Sequence, residues 1–111
     1  MYRYDFPHAI EELTQTVTDK AGVLDQDIRQ AIVKKTAVGE SLKGGENNPV
    51  PTNLQSYLEK VAHYSYKVTD QDINRLKYAG YTEDDIFEAT VSVALGAALE
   101  RMNQGYALFA D

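Results

Sequence analysis

Apolar residues recur along most of this chain at spacings of three and four, which is the period of one face of an α-helix. Capping residues, glycines and prolines separate five such segments. The first spans residues 7–21 and ends before Gly22. Its apolar face consists of Ile10, Leu13, Val17 and Ala21. No stretch alternates apolar and polar residues with the period of a strand, so the pattern predicts an all-α fold of about five helices.

The second segment begins at Asp25, a predicted N-cap, and ends before Gly39, which is typical of a helix C-terminus. Residues 39–51 follow and contain a glycine pair and two prolines, a composition that predicts a loop. Because this is the longest irregular segment between the helices, we expect it to be mobile.

The third segment spans residues 52–68. Thr52 and Gln55 fit a capping box, in which the hydroxyl bonds the amide three residues on and the amide side chain reaches back. At about 100° per residue, one face of this helix is formed by Leu54, Leu58, Val61, Ser65 and Val68.

Two further helices are predicted, one between Thr69 and Gly80 and a long one that begins at Thr82. In the long helix, residues 89–99 carry no charge. A helix that is apolar on every side must be covered on every side. Eleven residues span about 16 Å, which is too short for a membrane and suits the centre of a helical bundle. Gly96 lies inside this helix at a cost of about 1 kcal/mol relative to alanine, so we expect a close helix crossing there.

Length and composition narrow the classes of function. The chain has 111 residues, which fits one domain, and its formal net charge is −6 with no cluster of basic residues. Nucleic-acid binding needs such a cluster and is therefore not expected. No segment resembles a signal peptide or a membrane span, and we expect a cytoplasmic protein. The absence of cysteine excludes disulfides, thiolate nucleophiles and cysteine-ligated metal centres in this chain.

The second half of the sequence resembles a known family. The segment "LKYAGYTEDDIFEAT" has an alanine–glycine stop followed by a capped acidic turn, and the small-residue helix "VSVALGAAL" comes next. This order is similar to the core of the alkylhydroperoxidase D and carboxymuconolactone decarboxylase family, over residues 52–108. The resemblance implies a single helical domain over residues 1–111 that assembles into dimers, trimers or hexamers.

The resemblance also implies where a ligand pocket would lie. Peroxidase members carry a Cys-x-x-Cys pair and a histidine four residues on, which correspond here to Ser65, Val68 and Asp72. Their relay glutamate corresponds to a position near Asn53. All four positions depart from the family pattern, so peroxide reduction by thiols is not expected. Ser65, Val68 and Asp72, together with Tyr66, remain candidates for lining a pocket.

Three residues are candidates for acid–base chemistry or substrate binding. Glu59 and His63 are four residues apart on one helix, so the carboxylate can meet and orient the imidazole. His63 points away from the apolar face, however, and a solvated polar surface is the competing interpretation unless an oligomer covers it. Arg101 could bind a substrate carboxylate, or it could pair with a nearby glutamate or a helix C-terminus.

No cofactor is predicted, and two histidines 55 residues apart give no metal-ligand spacing. Three functions therefore remain. The first is an oligomeric small-molecule-binding protein without redox chemistry. The second is a cofactor-free decarboxylase or lactone-type enzyme that uses Glu59, His63 and Arg101. The third is an accessory protein that binds a protein partner through its acidic surface or the loop at 39–51.

Overall fold

The computed structural model of the chain describes residues 24–109. Within this range it has four α-helices, one short 3₁₀ helix and no strand, which confirms the predicted all-α class for this part of the chain. The helices are α1 (Gln26–Ala37), α2 (Thr52–Tyr64), α3 (Asp70–Tyr78) and α4 (Glu83–Phe109), and the 3₁₀ helix spans Ser65–Lys67. The helix predicted over residues 7–21 lies outside the described residues.

The core forms around α4, which contacts each of the other three α-helices. Apolar side chains from α1, α2 and the loop between them close against its buried face, and α3 adds one buried leucine. The buried members of this core are Leu24, Ile32, Leu42, Val50, Leu54, Tyr57, Leu58, Leu76, Ile86, Ala89 and Val93. Burial of this apolar surface is the main favourable contribution to the folded state.

The helices α1 and α4 cross at close range at Gly96. A Cβ atom built on Gly96 would lie 2.5 Å from the Thr36 Cβ and 2.8 Å from the Val33 carbonyl oxygen. Any side chain at this position would therefore push the two backbones apart. The predicted close crossing is confirmed, and it explains a glycine in mid-helix.

Three of the predicted helix caps are present. The Asp25 carboxylate accepts a hydrogen bond from the Asp27 amide at 2.8 Å. Thr69 and Asp72 form a reciprocal capping box at the start of α3. The Thr82 hydroxyl likewise accepts from the amide three residues on at 3.0 Å, and that residue's carboxylate accepts from the Thr82 amide at 2.9 Å. Local side-chain chemistry thus sets these three helix starts.

The capping box predicted at Thr52 is wrong. Pro51 occupies the N-cap position, and no side chain caps α2. Gln55 is buried instead, where it donates to the Val50 carbonyl at 2.9 Å and accepts from the Gly44 amide at 3.1 Å. The loop has backbone groups that need partners, and satisfying them takes the Gln55 side chain away from the helix terminus.

The predicted end of this helix is also corrected. α2 stops at Tyr64, and the chain passes through the 3₁₀ helix to Val68, which has an extended conformation. The capping box of α3 requires an extended backbone at Thr69, so α2 cannot run on to that point. Ser65 is consequently exposed, whereas Val68 is half-buried and packs against the core.

The loop at 39–51 is anchored to the rest of the molecule at several points. Leu42 and Val50 are each 1% exposed. The Asn48 side chain donates to the carbonyls of Leu42 and Gly44 and accepts from the Val50 amide. The Asn48 bonds brace the loop internally, while the two apolar anchors join it to the core and Gln55 and Glu59 of α2 bond to it.

The uncharged part of α4 is covered on only part of its circumference by the residues described. Ala89, Val93 and Gly96 are buried, whereas Ala94 and Ala98 on the other side are exposed. The other helices pack against one side of α4, so full coverage is not achieved within residues 24–109. No helix in this range meets the length and hydropathy required of a bilayer-spanning segment.

Candidate functional site

A cleft of about 150 Å³ opens where the end of α1 and the start of the loop meet α2 and α4. We call it the polar cleft, after the charged and polar side chains that line it. These are Thr36, Glu40, Glu59, His63, Glu100 and Arg101. The three residues that the sequence identifies as chemical candidates, two on α2 and one on α4, therefore share one cleft.

Glu59 is the most constrained side chain of the polar cleft. Its Oε1 atom accepts hydrogen bonds from the Ser41 hydroxyl at 2.9 Å and from the Leu42 amide at 2.5 Å. Its Oε2 atom lies 3.6 Å from the His63 Nε2 atom. The loop thus fixes the carboxylate and leaves one oxygen facing the imidazole, one helical turn away as the sequence predicts.

His63 forms the outer wall of the polar cleft. Its side chain is 60% exposed, compared with 20% for Glu59. This exposure agrees with the solvated face predicted from the helix pattern, and it also leaves the imidazole accessible to a ligand. An imidazole in contact with a fixed carboxylate has a defined orientation, which a general acid or base needs.

Glu100 and Arg101 approach the polar cleft from α4. The Glu100 carboxylate lies close to Gly39, where a Cβ atom would be 2.9 Å from Oε2. Gly39 has φ = 73°, a left-handed conformation that favours glycine, and it follows the C-cap residue of α1, Val38. The glycine that ends α1 therefore also makes room for a carboxylate. Arg101 is exposed at the rim.

The charges of the polar cleft are mixed, with an excess of carboxylates. Three glutamates line the cleft: Glu40, Glu59 and Glu100. The Glu40 carboxylate lies 3.7 Å from the Lys35 ammonium group. Arg101 is the cation among the lining residues, and His63 adds a second positive charge when protonated. Within residues 24–109, no three His, Asp or Glu side chains converge in a way that could hold a metal ion.

The four pocket candidates, Ser65, Tyr66, Val68 and Asp72, lie elsewhere, on and after the 3₁₀ helix. Ser65 and Tyr66 are exposed, the latter 80%. Asp72 is held in place, since its carboxylate accepts from the Lys60 ammonium group at 3.0 and 3.1 Å and from the Thr69 amide at 2.9 Å. The Thr69 amide, followed by Lys60, lowers the pKa of Asp72 below its ordinary value. None of these side chains lines the polar cleft.

Asn53, near which the family resemblance predicts a relay glutamate, also has a structural partner. Its side-chain oxygen accepts a hydrogen bond from the Tyr81 hydroxyl at 2.6 Å. Burial of the phenol raises the pKa of Tyr81 above its ordinary value, and the bond to Asn53 opposes that rise. This pair ties the start of α2 to the turn before α4.

Sequence reasoning missed Gly39, Glu40 and Glu100 as parts of the cleft. Gly39 reads only as a helix stop, and Glu100 only as a neighbour of Arg101. Nothing in the local sequence brings residue 39 next to residue 100, because that contact depends on how α1 crosses α4. Comparison with known protein families, curated proteins and solved structures finds no match to this chain. The relation to the alkylhydroperoxidase D family therefore stays a prediction.

Proposed function

We propose that this chain binds a small molecule in the polar cleft and does not act as a thiol peroxidase. The observation that carries the proposal is that Glu59, His63 and Arg101 line one cleft although they come from two helices. A few polar and charged side chains that converge on one concavity are a usual starting point for a ligand-site hypothesis. Peroxide reduction by thiols requires cysteines, and this chain has none.

The size and charge of the polar cleft favour a small ligand with both a carboxylate and an amine. A volume of about 150 Å³ equals that of roughly five water molecules. Arg101 can bind a carboxylate through two parallel hydrogen bonds, and the carboxylates of Glu59 and Glu100 can accept from an ammonium group. A simple anion could pair with Arg101, but the glutamates of the cleft would repel it, and it has no ammonium group to offset that repulsion.

Binding can be tested with three probes that share one carbon skeleton: β-alanine, propionate and propylamine. We expect β-alanine to bind most tightly, with chemical-shift changes at cleft residues in NMR spectra. Arg101→Gln should weaken β-alanine and propionate binding about tenfold, which corresponds to loss of one charged contact. Arg75→Gln removes an exposed arginine outside the cleft and should leave both unchanged. Equal binding of all three probes, or equal effects of the two variants, would refute the proposal.

A second candidate function is supported by the contact between Glu59 and His63. A carboxylate anchored on one side and facing an imidazole on the other matches the arrangement of an oriented general base. With Arg101 holding a substrate carboxylate, such a pair could serve a cofactor-free decarboxylase or lactone-type enzyme. The chemistry would be proton transfer, without a metal or a redox group.

The enzymatic candidate has its own test. Small lactones that carry a carboxylate would be screened for hydrolysis and for release of carbon dioxide. If a reaction is found, His63→Gln should lower kcat by roughly 100-fold or more, while Lys67→Gln, on the neighbouring exposed surface, should not. An unchanged rate in His63→Gln, with the variant folded by circular dichroism, would rule out this role.

We also propose that the chain assembles into a homo-oligomer. The supporting observation is an exposed apolar surface on α4. Phe87 is 63% exposed, and alanines further along the same helix are exposed as well. Apolar surface of this kind is typical of an interface. Sedimentation velocity at micromolar concentration tests the assembly, and a strictly monomeric protein would contradict it.

A further inference from the structure

The exposed side of α4 presents larger apolar side chains first and small ones after them. Phe87 is 63% exposed and Val91 is 36% exposed, and Ala94 and Ala98 follow them, both exposed. The spacings of four, three and four keep these residues on one face of the helix. We call this face the α4 stripe. Its first half presents larger side chains and its second half presents alanines.

We propose that the α4 stripe packs against the same stripe of a second copy, with the two helices antiparallel and related by a two-fold axis. The proposal deepens the homo-oligomer proposed above and rests on it. It shares one residue with the polar cleft, Arg101, whereas the α4 stripe itself lies outside the cleft. In one register, Phe87 of one copy faces Ala98 of the partner subunit, and Val91 faces Ala94 of the partner subunit. Each large side chain then meets a small one, twice over by symmetry.

The same register brings opposite charges together. α4 begins with Glu83, Asp84 and Asp85, and the cation in its second half is Arg101. An antiparallel pair sets the acidic first turn of each copy beside the arginine of the other. The helix dipoles also oppose each other favourably in this arrangement. A parallel pair would set acidic turn against acidic turn and would lose both contributions.

The register can be tested directly because the chain contains no cysteine. Positions 87 and 98 of one chain are eleven residues apart in α4, which is about 16 Å. That distance is too long for a disulfide, whose Cα atoms are usually within about 7 Å. The double variant Phe87→Cys/Ala98→Cys should therefore form a covalent dimer on mild oxidation, seen on a non-reducing gel. Phe87→Cys/Ala107→Cys is the matched control and should stay monomeric on the gel.

A second variant tests the interface without cross-linking. Ala94→Glu places a charge in the centre of the α4 stripe. We expect it to raise the dissociation constant of the dimer, measured by sedimentation, at least tenfold. Ala107→Glu adds the same charge to the same helix outside the stripe and should leave the dimer intact. Circular dichroism and the melting temperature establish that both variants are folded.

The possible outcomes separate the two levels of the proposal. A wild-type chain that is monomeric at 100 µM overturns the homo-oligomer and this interface together, and it points instead to another segment of the same chain as the cover of α4. An oligomer that tolerates Ala94→Glu and gives no 87–98 cross-link overturns only the α4 register. A cross-linked dimer that Ala94→Glu abolishes supports it.

Discussion

Asp72 joins two helices through one carboxylate. It closes the capping box of α3 with Thr69 and also accepts both hydrogen bonds from Lys60 on α2. The Lys60 side chain is 35% exposed and that of Asp72 is 11% exposed, so the pair is only partly screened by water. Here the residue stabilises the connection between α2 and α3.

Asp72→Asn should lower the free energy of unfolding by about 0.5–1 kcal/mol at pH 7, since it removes a partly solvated ion pair. The pKa of Asp72 is lowered in the folded state from an ordinary value of 3.8. Its contribution is therefore fully present above that value and is lost as the pH falls through the folded pKa. Urea titrations from pH 7 to pH 2 should show the two proteins converging at the acidic end.

Asp70→Asn is the control for this prediction, because it removes the same charge from the same turn of α3 but not the contact with Lys60. A pH-independent difference between wild type and Asp72→Asn would mean that the charge of Asp72 is not what stabilises α3.

At the scale of the helices, the crossing of α1 and α4 sets the geometry of everything around it. Gly96 lets the backbones approach, and the same crossing carries Gly39 at the end of α1 to Glu100 on α4. The polar cleft lies in the angle between these elements and α2. Its shape therefore depends on a contact made by a residue with no side chain.

Gly96→Ala should destabilise the protein by about 1–3 kcal/mol, the usual cost of overpacking, even though alanine favours a helix. The added methyl group would meet the Val33 carbonyl oxygen and the Thr36 Cβ, and neither can move without shifting α1. Gly105→Ala in the same helix is the control, since a Cβ atom there meets nothing within 4 Å. It should stabilise the protein by up to about 1 kcal/mol. Urea unfolding followed by circular dichroism measures both, and a stabilised Gly96→Ala would refute the close crossing.

A structural feature could be predicted from the sequence where the contacts that create it join residues close together in the chain. Asp25, Thr69 and Thr82 could be identified as caps because the bonds that matter lie within three residues. Gln55 could not be assigned correctly, because its partners belong to a loop that folds back onto α2. The same holds for the site: the contact of Glu59 with His63 follows from helix spacing, but the loop amide that fixes the carboxylate does not.

At the scale of the whole molecule, stability is concentrated in the first two-thirds of α4. Residues 86–99 include the core members Ile86, Ala89 and Val93, and α1, α2 and α3 all contact this helix. Residues 101–108 are almost entirely exposed. The long helix is therefore one hydrogen-bonded unit, but only its first two-thirds are buried. We expect its two parts to differ in the free energy of local opening.

Amide hydrogen exchange should separate these two parts. We expect amides at residues 89–99 to exchange only through global unfolding, because opening them would break the core. Amides at residues 103–108 should exchange by local fraying, with opening free energies lower by several kcal/mol, since few buried contacts oppose it. Mass spectrometry of peptides from each part, over a range of urea concentrations, measures the difference. The proposed α4 stripe ends at Ala98, so dimer formation should further protect the central peptides while leaving the terminal ones unchanged. Strong protection of residues 103–108 at all concentrations would instead require a cover over the end of α4, and the interface would have to be placed there.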